Sequence, residues 1–251
     1  MSTGQQFGEV ADVYDDVRPG YTAEITDVIR GYLGGPPARV AEIGAGTGKC
    51  TEFLRPLGGV LTCVEPDPRM AALLRGRFPD VEVVIAPFEG WTPPAGVDLL
   101  ACAMAWHWLD EGARNRLAHA ALRPGGTLAV VGGRYGYADP GQSAAIGAAF
   151  ATVEREDQDQ KPAVVRHDAW IRDDVAASGL FQDVELVALR RQVPMPAGRY
   201  LRLVQTFGPF RAGSPQRQAT ILRVLGETVD RLGGGVVLDL HTSVTLARRA
   251  A

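Results

Sequence analysis

Residues 40–50 read VAEIGAGTGKC: an apolar run carrying an acid at Glu42, glycines at Gly44, Gly46 and Gly48, then the first residues of a helix. A strand that ends in alternating glycines lets the backbone approach a ligand closely, because glycine reaches left-handed conformations and has no side chain in the way. In open α/β sheets such a loop sits at the carboxyl edge, where ligands bind. Outward from it, short β-branched runs alternate with helix-like stretches between residues 39 and 133. The predicted strands are ARVAEIG (38–44), LTCVEP (61–66), VEVVIA (81–86), VDLLACAMA (97–105) and TLAVVGG (127–133). Their near-continuous hydrophobicity implies burial on both faces, as a parallel sheet requires. Helices are predicted at 49–56, 68–77 and 111–122, the last closed by the proline and glycines of LRPGG (122–126). This is an α/β, doubly wound pattern.

Beyond Gly133 the pattern loosens. Helices are expected at 141–158, 168–178, 199–205 and 215–232, with strands at VELVALRR (184–191) and VVLDLHTSVTLARR (236–249). Ile221, Leu222, Leu225, Val229 and Leu232 recur at helical spacing and read as core packing. The stretch EREDQDQK (154–161) reads as a solvated helix end or loop.

Composition excludes several classes. Hydrophobic residues make up 46% and charged residues 22%, so a disordered or fibrous chain is not expected. Lys and Arg number 26 against 29 Asp and Glu, a formal charge of −3 that gives no net basic field for nucleic acid or an anionic membrane. The cysteines Cys50, Cys63 and Cys102 lie in or beside apolar segments and read as reduced core thiols. No apolar run is long enough to span a bilayer, and MSTGQQFGEV lacks the features of a signal peptide, so a cytoplasmic protein is expected. His107, His119, His167 and His241 are scattered, without HExxH or CxxC, and no metal is expected.

Three ligands compete for the glycine loop. A triphosphate loop needs a glycine five residues before Gly48 and a hydroxyl after Lys49, where this chain has Ile43 and Cys50. A dinucleotide fingerprint places its third glycine where Lys49 stands. The remaining fit is AEIGAGTG with Glu65 ending the second strand in CVEPDPRM (63–70). A carboxylate there can accept hydrogen bonds from both ribose hydroxyls, and a cofactor without phosphates needs no anion-binding lysine.

Together with APFEGW (86–91), AMAWHWLD (103–110) and LRPGG in register, these segments resemble the class I S-adenosylmethionine-dependent methyltransferases. The opening FGEVADVYDDVRPGYT (7–22), YLRLVQTFGPF (200–210) and TLARR (245–249) resemble the small-molecule branch that includes trans-aconitate and ubiquinone or menaquinone biosynthesis methyltransferases. The resemblance implies a Rossmann-like, mostly parallel seven-stranded sheet in one domain over 1–251. An N-terminal lid and first helices would fill 1–37, a cofactor core 38–133, and a helical cap with the last strands 134–251.

It also implies roles. Glu42 would orient the methionine ammonium of S-adenosylmethionine, and Gly44, Ala45, Gly46, Thr47 and Gly48 would line the methionine part. Glu65 with Pro66 would hold the ribose, Met70 and Phe88 would flank the adenine, and Ala86 and Phe88 would offer backbone groups where Pro87 replaces a polar residue. Ala103 would border the cofactor, and Tyr14 and Arg18 would close the site from the lid. Each position has a structural reading beside it: Glu65 as a turn cap, Met70 as core, Arg18 as a partner of Asp15 or Asp16.

On the acceptor side, His107 is either a general base or a polar residue held beneath Trp106 and Trp108. Trp106, Arg134, Tyr135, Tyr137, Trp170, Arg199, Tyr200, Thr206 and Phe207 are candidates for a pocket suited to a planar or anionic small molecule. The expected activity is methyl transfer to a hydroxyl, carboxylate, amine or carbon in specialised metabolism, with S-adenosylhomocysteine as product, by a monomer or homodimer that binds neither nucleic acid nor membrane. The rivals are an S-adenosylmethionine-binding enzyme of another reaction, such as cyclisation, and a nonenzymatic cofactor-binding subunit.

Overall fold

The structure, a computed structural model, describes residues 16–156 and 167–250. Seven strands form one sheet in the order β3-β2-β1-β4-β5-β7-β6. They are β1 (Arg39–Ile43), β2 (Val60–Val64), β3 (Glu82–Val84), β4 (Val97–Ala103), β5 (Leu122–Tyr137), β6 (Phe181–Pro196) and β7 (Gly235–Arg249). The first five run parallel, and β7 is antiparallel to both of its neighbours. The sheet is thus mostly parallel and α/β, as the alternating pattern requires.

The unbroken hydrophobicity of the central strands follows from burial on both sides. Val40, Leu99, Ala101, Ala129 and Val131 join a core with Ile25, Ile29, Leu54 and Leu74, contributed by α1 (Glu24–Leu33), α2 (Thr51–Leu54) and α3 (Pro68–Arg77). The alternate residues Ala41, Ile43, Leu100, Cys102, Leu128 and Val130 face a second core with Ala118 of α4 (Arg114–Ala121) and Ile171 and Val175 of α6 (Trp170–Ala177). Each fully buried aliphatic side chain contributes about 1.5–3 kcal/mol. LRPGG belongs to β5: Val97 pairs with Leu122 and Leu99 with Thr127, so the intervening residues bulge from the ladder.

Strands β5, β6 and β7 overrun the short β1 to β4, and their extra length carries a helical layer. It comprises α5 (Pro140–Glu156), α7 (Ala197–Val204), α8 (Gly208–Arg211) and α9 (Pro215–Arg231). A third core lies beneath it, built from Ile146, Leu203, Phe210, Ile221, Leu225 and Val229 against Met195, Val236 and Leu238 of the strand tips. Val17 of the N-terminal stretch is buried there too. The stripe on α9 is therefore core packing. All three cysteines are buried free thiols. Among the described residues, no helix is long and apolar enough to cross a membrane.

Candidate functional site

The register of the parallel strands assembles the site. Ile43 is level with Val64 on one side and Cys102 on the other, so the next residues, Gly44, Glu65 and Ala103, emerge together at the carboxyl edge. Gly44, Gly46 and Gly48 have φ of 65°, 59° and 90°, the left-handed region that L side chains avoid. At Gly44 a Cβ would also lie 2.6 Å from that of Ala105, so the loop seats directly on the segment after β4.

Glu65 holds this loop. Its carboxylate accepts from the Gly46 amide (2.8 Å) and the Asp67 amide (2.9 Å), so it does cap the following turn. Each carboxylate oxygen retains a further lone pair, which leaves room for ribose hydroxyls. Burial raises the Glu65 pKa, and the two backbone bonds offset this only in part. Asp67, which sequence reasoning passed over, is the N-cap of α3 and accepts from the Arg69 amide at 2.8 Å.

Glu42 lies under the loop and is 1% exposed. One oxygen, Oε2, accepts from the Thr51 hydroxyl at 2.5 Å and faces Cys63 Sγ at 3.6 Å. Among the described residues no cation pairs with it, and Oε1 takes no hydrogen bond. Burial pushes its pKa up to about 7, against the opposing hydrogen bonds from Thr51 and Cys63. A buried acid without a counter-charge fits a site completed by a cationic ligand group. With the open glycine loop, these carboxylate acceptors suit the ammonium and ribose of S-adenosylmethionine.

Beside the loop, an open cleft with about 500 Å³ of empty space runs from Lys49 and Met104 to β5 and β7. Met104 has a φ of 54° at the end of β4, held by its amide on Val131 O at 2.8 Å. At Gly133 a Cβ would come within 2.8 Å of His241 O, so glycine permits the close approach of β5 and β7 at the cleft floor. Arg18 and Tyr21 overhang the cleft. Arg18 donates to Thr206 through Nε (3.0 Å to Oγ1) and Nη2 (2.9 Å to O), and lies over the Phe207 ring. Phe207 stacks on Tyr135 at 5.6 Å, while Asp16 pairs with Arg202.

Of the sequence-predicted residues, the cleft brings together Arg18, Arg134 and Tyr135. It adds Tyr21, Lys49, Met104 and His241, none of which was singled out for this role. The polar alternation Asp239, His241, Ser243 in an otherwise apolar strand was the available signal for His241.

Several expectations are corrected. Trp106 is 1% exposed and belongs to the core, its indole donating to Asp174 at 2.9 Å, so it is no acceptor wall. Trp170 packs beside the same cluster, 5.5 Å from the Arg114 guanidinium. Arg199 is exposed on α7 and does not line the cleft. Thr206 is fully buried and anchors Arg18; Tyr200 is buried with its hydroxyl 2.6 Å from that of Tyr137. His107 sits in the turn Trp106–Trp108, its ring 4.6 Å from that of Trp108, and does not line the cleft. The adenine-side expectations are not among those corrected: Phe88 is buried beside the half-buried Ala86, and Met70 is buried in the first turn of α3, close in sequence to the half-buried Pro66. Ala45 and Thr47 are buried within the loop. Tyr14 and Asp15 lie outside the described residues.

Residues 40–126 match the family described as a methyltransferase domain. An uncharacterized methyltransferase of Mycobacterium tuberculosis (strain H37Rv) is 34% identical over 126 residues, 50% of this chain and 51% of that protein. A trans-aconitate 2-methyltransferase of Rhodopseudomonas palustris (strain BisB18) is 36% identical over 101 residues, 38% of each chain. The chain thus spans about half of the length of the first of these relatives and 38% of the second. Among solved structures, a protein of Anaeromyxobacter dehalogenans described as a type II methyltransferase superposes with a TM-score of 0.65 at 22% identity, over 92% of this chain and 97% of that one. Residues 40–126 are thus similar to a methyltransferase domain, and the whole chain shares the seven-stranded, mostly parallel α/β fold of that solved structure.

Proposed function

We propose that the protein transfers a methyl group from S-adenosylmethionine to a small-molecule acceptor, releasing S-adenosylhomocysteine. The observation that carries this reading is the pair of buried carboxylates around the glycine loop: Glu42, with no cation beside it among the described residues, and Glu65, whose oxygens keep free lone pairs. When bound, the cofactor supplies an electrophilic methyl group on a sulfonium, ready for in-line displacement. Glu42 then faces the ammonium, the backbone of residues 44–48 follows the methionine chain, and Glu65 takes the ribose. Pro66 stands beside Glu65 at the ribose, and Met70, Ala86 and Phe88 border the adenine. The cleft beyond Lys49 and Met104 receives the acceptor, with Arg18 and Tyr21 above. Alignment of acceptor and methyl group supplies most of the rate gain in such a displacement.

Glu65→Ala is expected to weaken S-adenosylhomocysteine binding by about 1–3 kcal/mol, the scale for lost hydrogen bonds to a charged group. Calorimetry on the folded variant measures this, and unchanged affinity would remove the ribose assignment. S-adenosylhomocysteine should also raise the melting temperature where NAD and ATP do not, since a ligand bound only by the native state shifts the transition. Transfer of label from methyl-labelled cofactor into a metabolite extract separates methyl transfer from another reaction on the same cofactor.

A further inference from the structure

The cleft is lined by three cationic side chains, Arg18, Lys49 and Arg134, and among the described residues no aspartate or glutamate lines it. On the methyl-transfer reading, on which this inference rests, a sulfonium joins them when the cofactor binds. The lining of the cleft therefore favours an anionic acceptor over a cationic one.

One of these cations is aimed by a relay that crosses three strands. Arg134, His241 and Arg190 stand level across β5, β7 and β6. Asp168 takes two nitrogens of Arg134, Nε at 2.6 Å and Nη2 at 3.3 Å. Nη2 also points at His241 Nδ1, 3.1 Å away. A guanidinium can only donate, so Nδ1 is the acceptor and the ring proton sits on Nε2. Nε2 then donates to Asp239 at 2.9 Å, and Asp239 is paired in turn with Arg190. A single tautomer satisfies the whole chain. Nη1 of Arg134 is left without a hydrogen bond among the described residues, and the side chain is half-exposed at the cleft.

We propose that the acceptor carries a carboxylate gripped by Arg134 through Nη1, and that His241, backed by Asp239, is the positioning residue that fixes the direction of that guanidinium. Asp168 neutralises part of the Arg134 charge without covering Nη1, and Tyr135, stacked on Phe207, offers a flat wall for an unsaturated or aromatic body. A carboxylate acceptor needs no general base, which agrees with a cleft whose histidine has both nitrogens engaged.

The test is calorimetric. Wild-type protein is first titrated with S-adenosylhomocysteine; failure to bind would sink the methyl-transfer reading and this proposal with it. Protein saturated with S-adenosylhomocysteine is then titrated with benzoate, glutarate and trans-aconitate and with their uncharged primary amides. At least one carboxylate should bind tenfold or more tightly than its amide, and Arg134→Gln should erase that preference. His241→Phe should weaken carboxylate binding about tenfold. His241→Gln, whose amide can accept from Arg134 and donate to Asp239, should restore it to within about threefold. S-adenosylhomocysteine affinity should stay constant throughout, which a general loss of structure would not allow. If His241→Phe fails to fold, Arg134→Gln at its half-exposed site and the glutamine variant still decide the matter. No binding by any carboxylate, equal binding of the amides, or a folded His241→Phe variant that binds like wild type would overturn the proposal while leaving the cofactor reading intact.

Discussion

Asp174→Ala is expected to cost the fold about 3–5 kcal/mol, the range for stripping a buried cation of its partner. Asp174 accepts from Arg114 Nε (3.0 Å) and Nη2 (2.5 Å), Trp106 Nε1 (2.9 Å) and Asn115 Nδ2 (3.1 Å). The Arg114 side chain is 3% exposed, and its next acid, Glu111, is 3.8 Å away and itself exposed. Alanine at 174 takes the acceptor from Arg114 Nε and Nη2 and from the indole N–H in a site water reaches poorly. At about 2–4 °C per kcal/mol for a chain of this size, the melting temperature should fall by about 10 °C. The matched control is Asp173→Ala: Asp173 and its partner Arg172 are both half-exposed side chains, so the change should stay within about 0.5 kcal/mol. Equal melting of the two variants would mean that the cluster contributes no more than a surface pair.

The pH dependence has a definite sign. Burial works against ionisation of Asp174, but the bonds from Arg114, Trp106 and Asn115 outweigh it and hold its pKa below the ordinary aspartate value. Its contribution is therefore present above about pH 4 and is lost as pH falls through the lowered folded value. The cluster also matters to the site. Arg114 Nη1 donates to Trp106 O at 3.3 Å, which fastens the turn after β4, and that turn presents Ala105 to Gly44 and Met104 to the cleft.

This cluster marks where sequence reading runs out. Trp106 looks like a pocket aromatic because it follows the fourth strand, and Trp170 because it lies in the helical region expected to cap the cleft. Their actual setting depends on Asp174, 68 residues from Trp106, and no local pattern announces that pairing. The central strands were legible because burial on both faces makes their hydrophobicity continuous. The ends of β5 and β6 were not: the expected 127–133 and 184–191 extend to Leu122–Tyr137 and Phe181–Pro196. Along the added length Arg134, Gln182 and Gln192 interrupt the apolar run, since one face there meets solvent or the cap. Glu42 and Glu65 stood out because each is an acid at a strand end beside glycines. His241 did not, because its partner Arg134 lies 107 residues away and only strand register brings them level.

Glu42 yields the other large expected effect. In the ligand-free protein its pKa rises from the ordinary 4.5 to about 7, through burial first, with Thr51 and Cys63 pulling the other way. The native state then binds more protons than the unfolded chain between those values, so this group makes stability fall as pH rises from about 4.5 to about 7. The full penalty, about 3 kcal/mol, applies above pH 7 and is absent below 4.5. Glu42→Gln keeps an acceptor for the Thr51 hydroxyl and carries no charge, so the variant should lose this slope and gain stability over wild type at pH 8. Denaturant titrations at pH 5 and pH 8 measure it; identical slopes for the two proteins would show that the carboxylate is already compensated. The same substitution bears on the proposed function. An ammonium brought beside Oε1 favours the ionised carboxylate, so S-adenosylhomocysteine binding near pH 6 should expel a proton from wild type and none from Glu42→Gln. Titration heats measured in two buffers of different ionisation enthalpy report that proton directly. Heats that agree between buffers for wild type would place the ammonium away from Glu42, whatever the affinity.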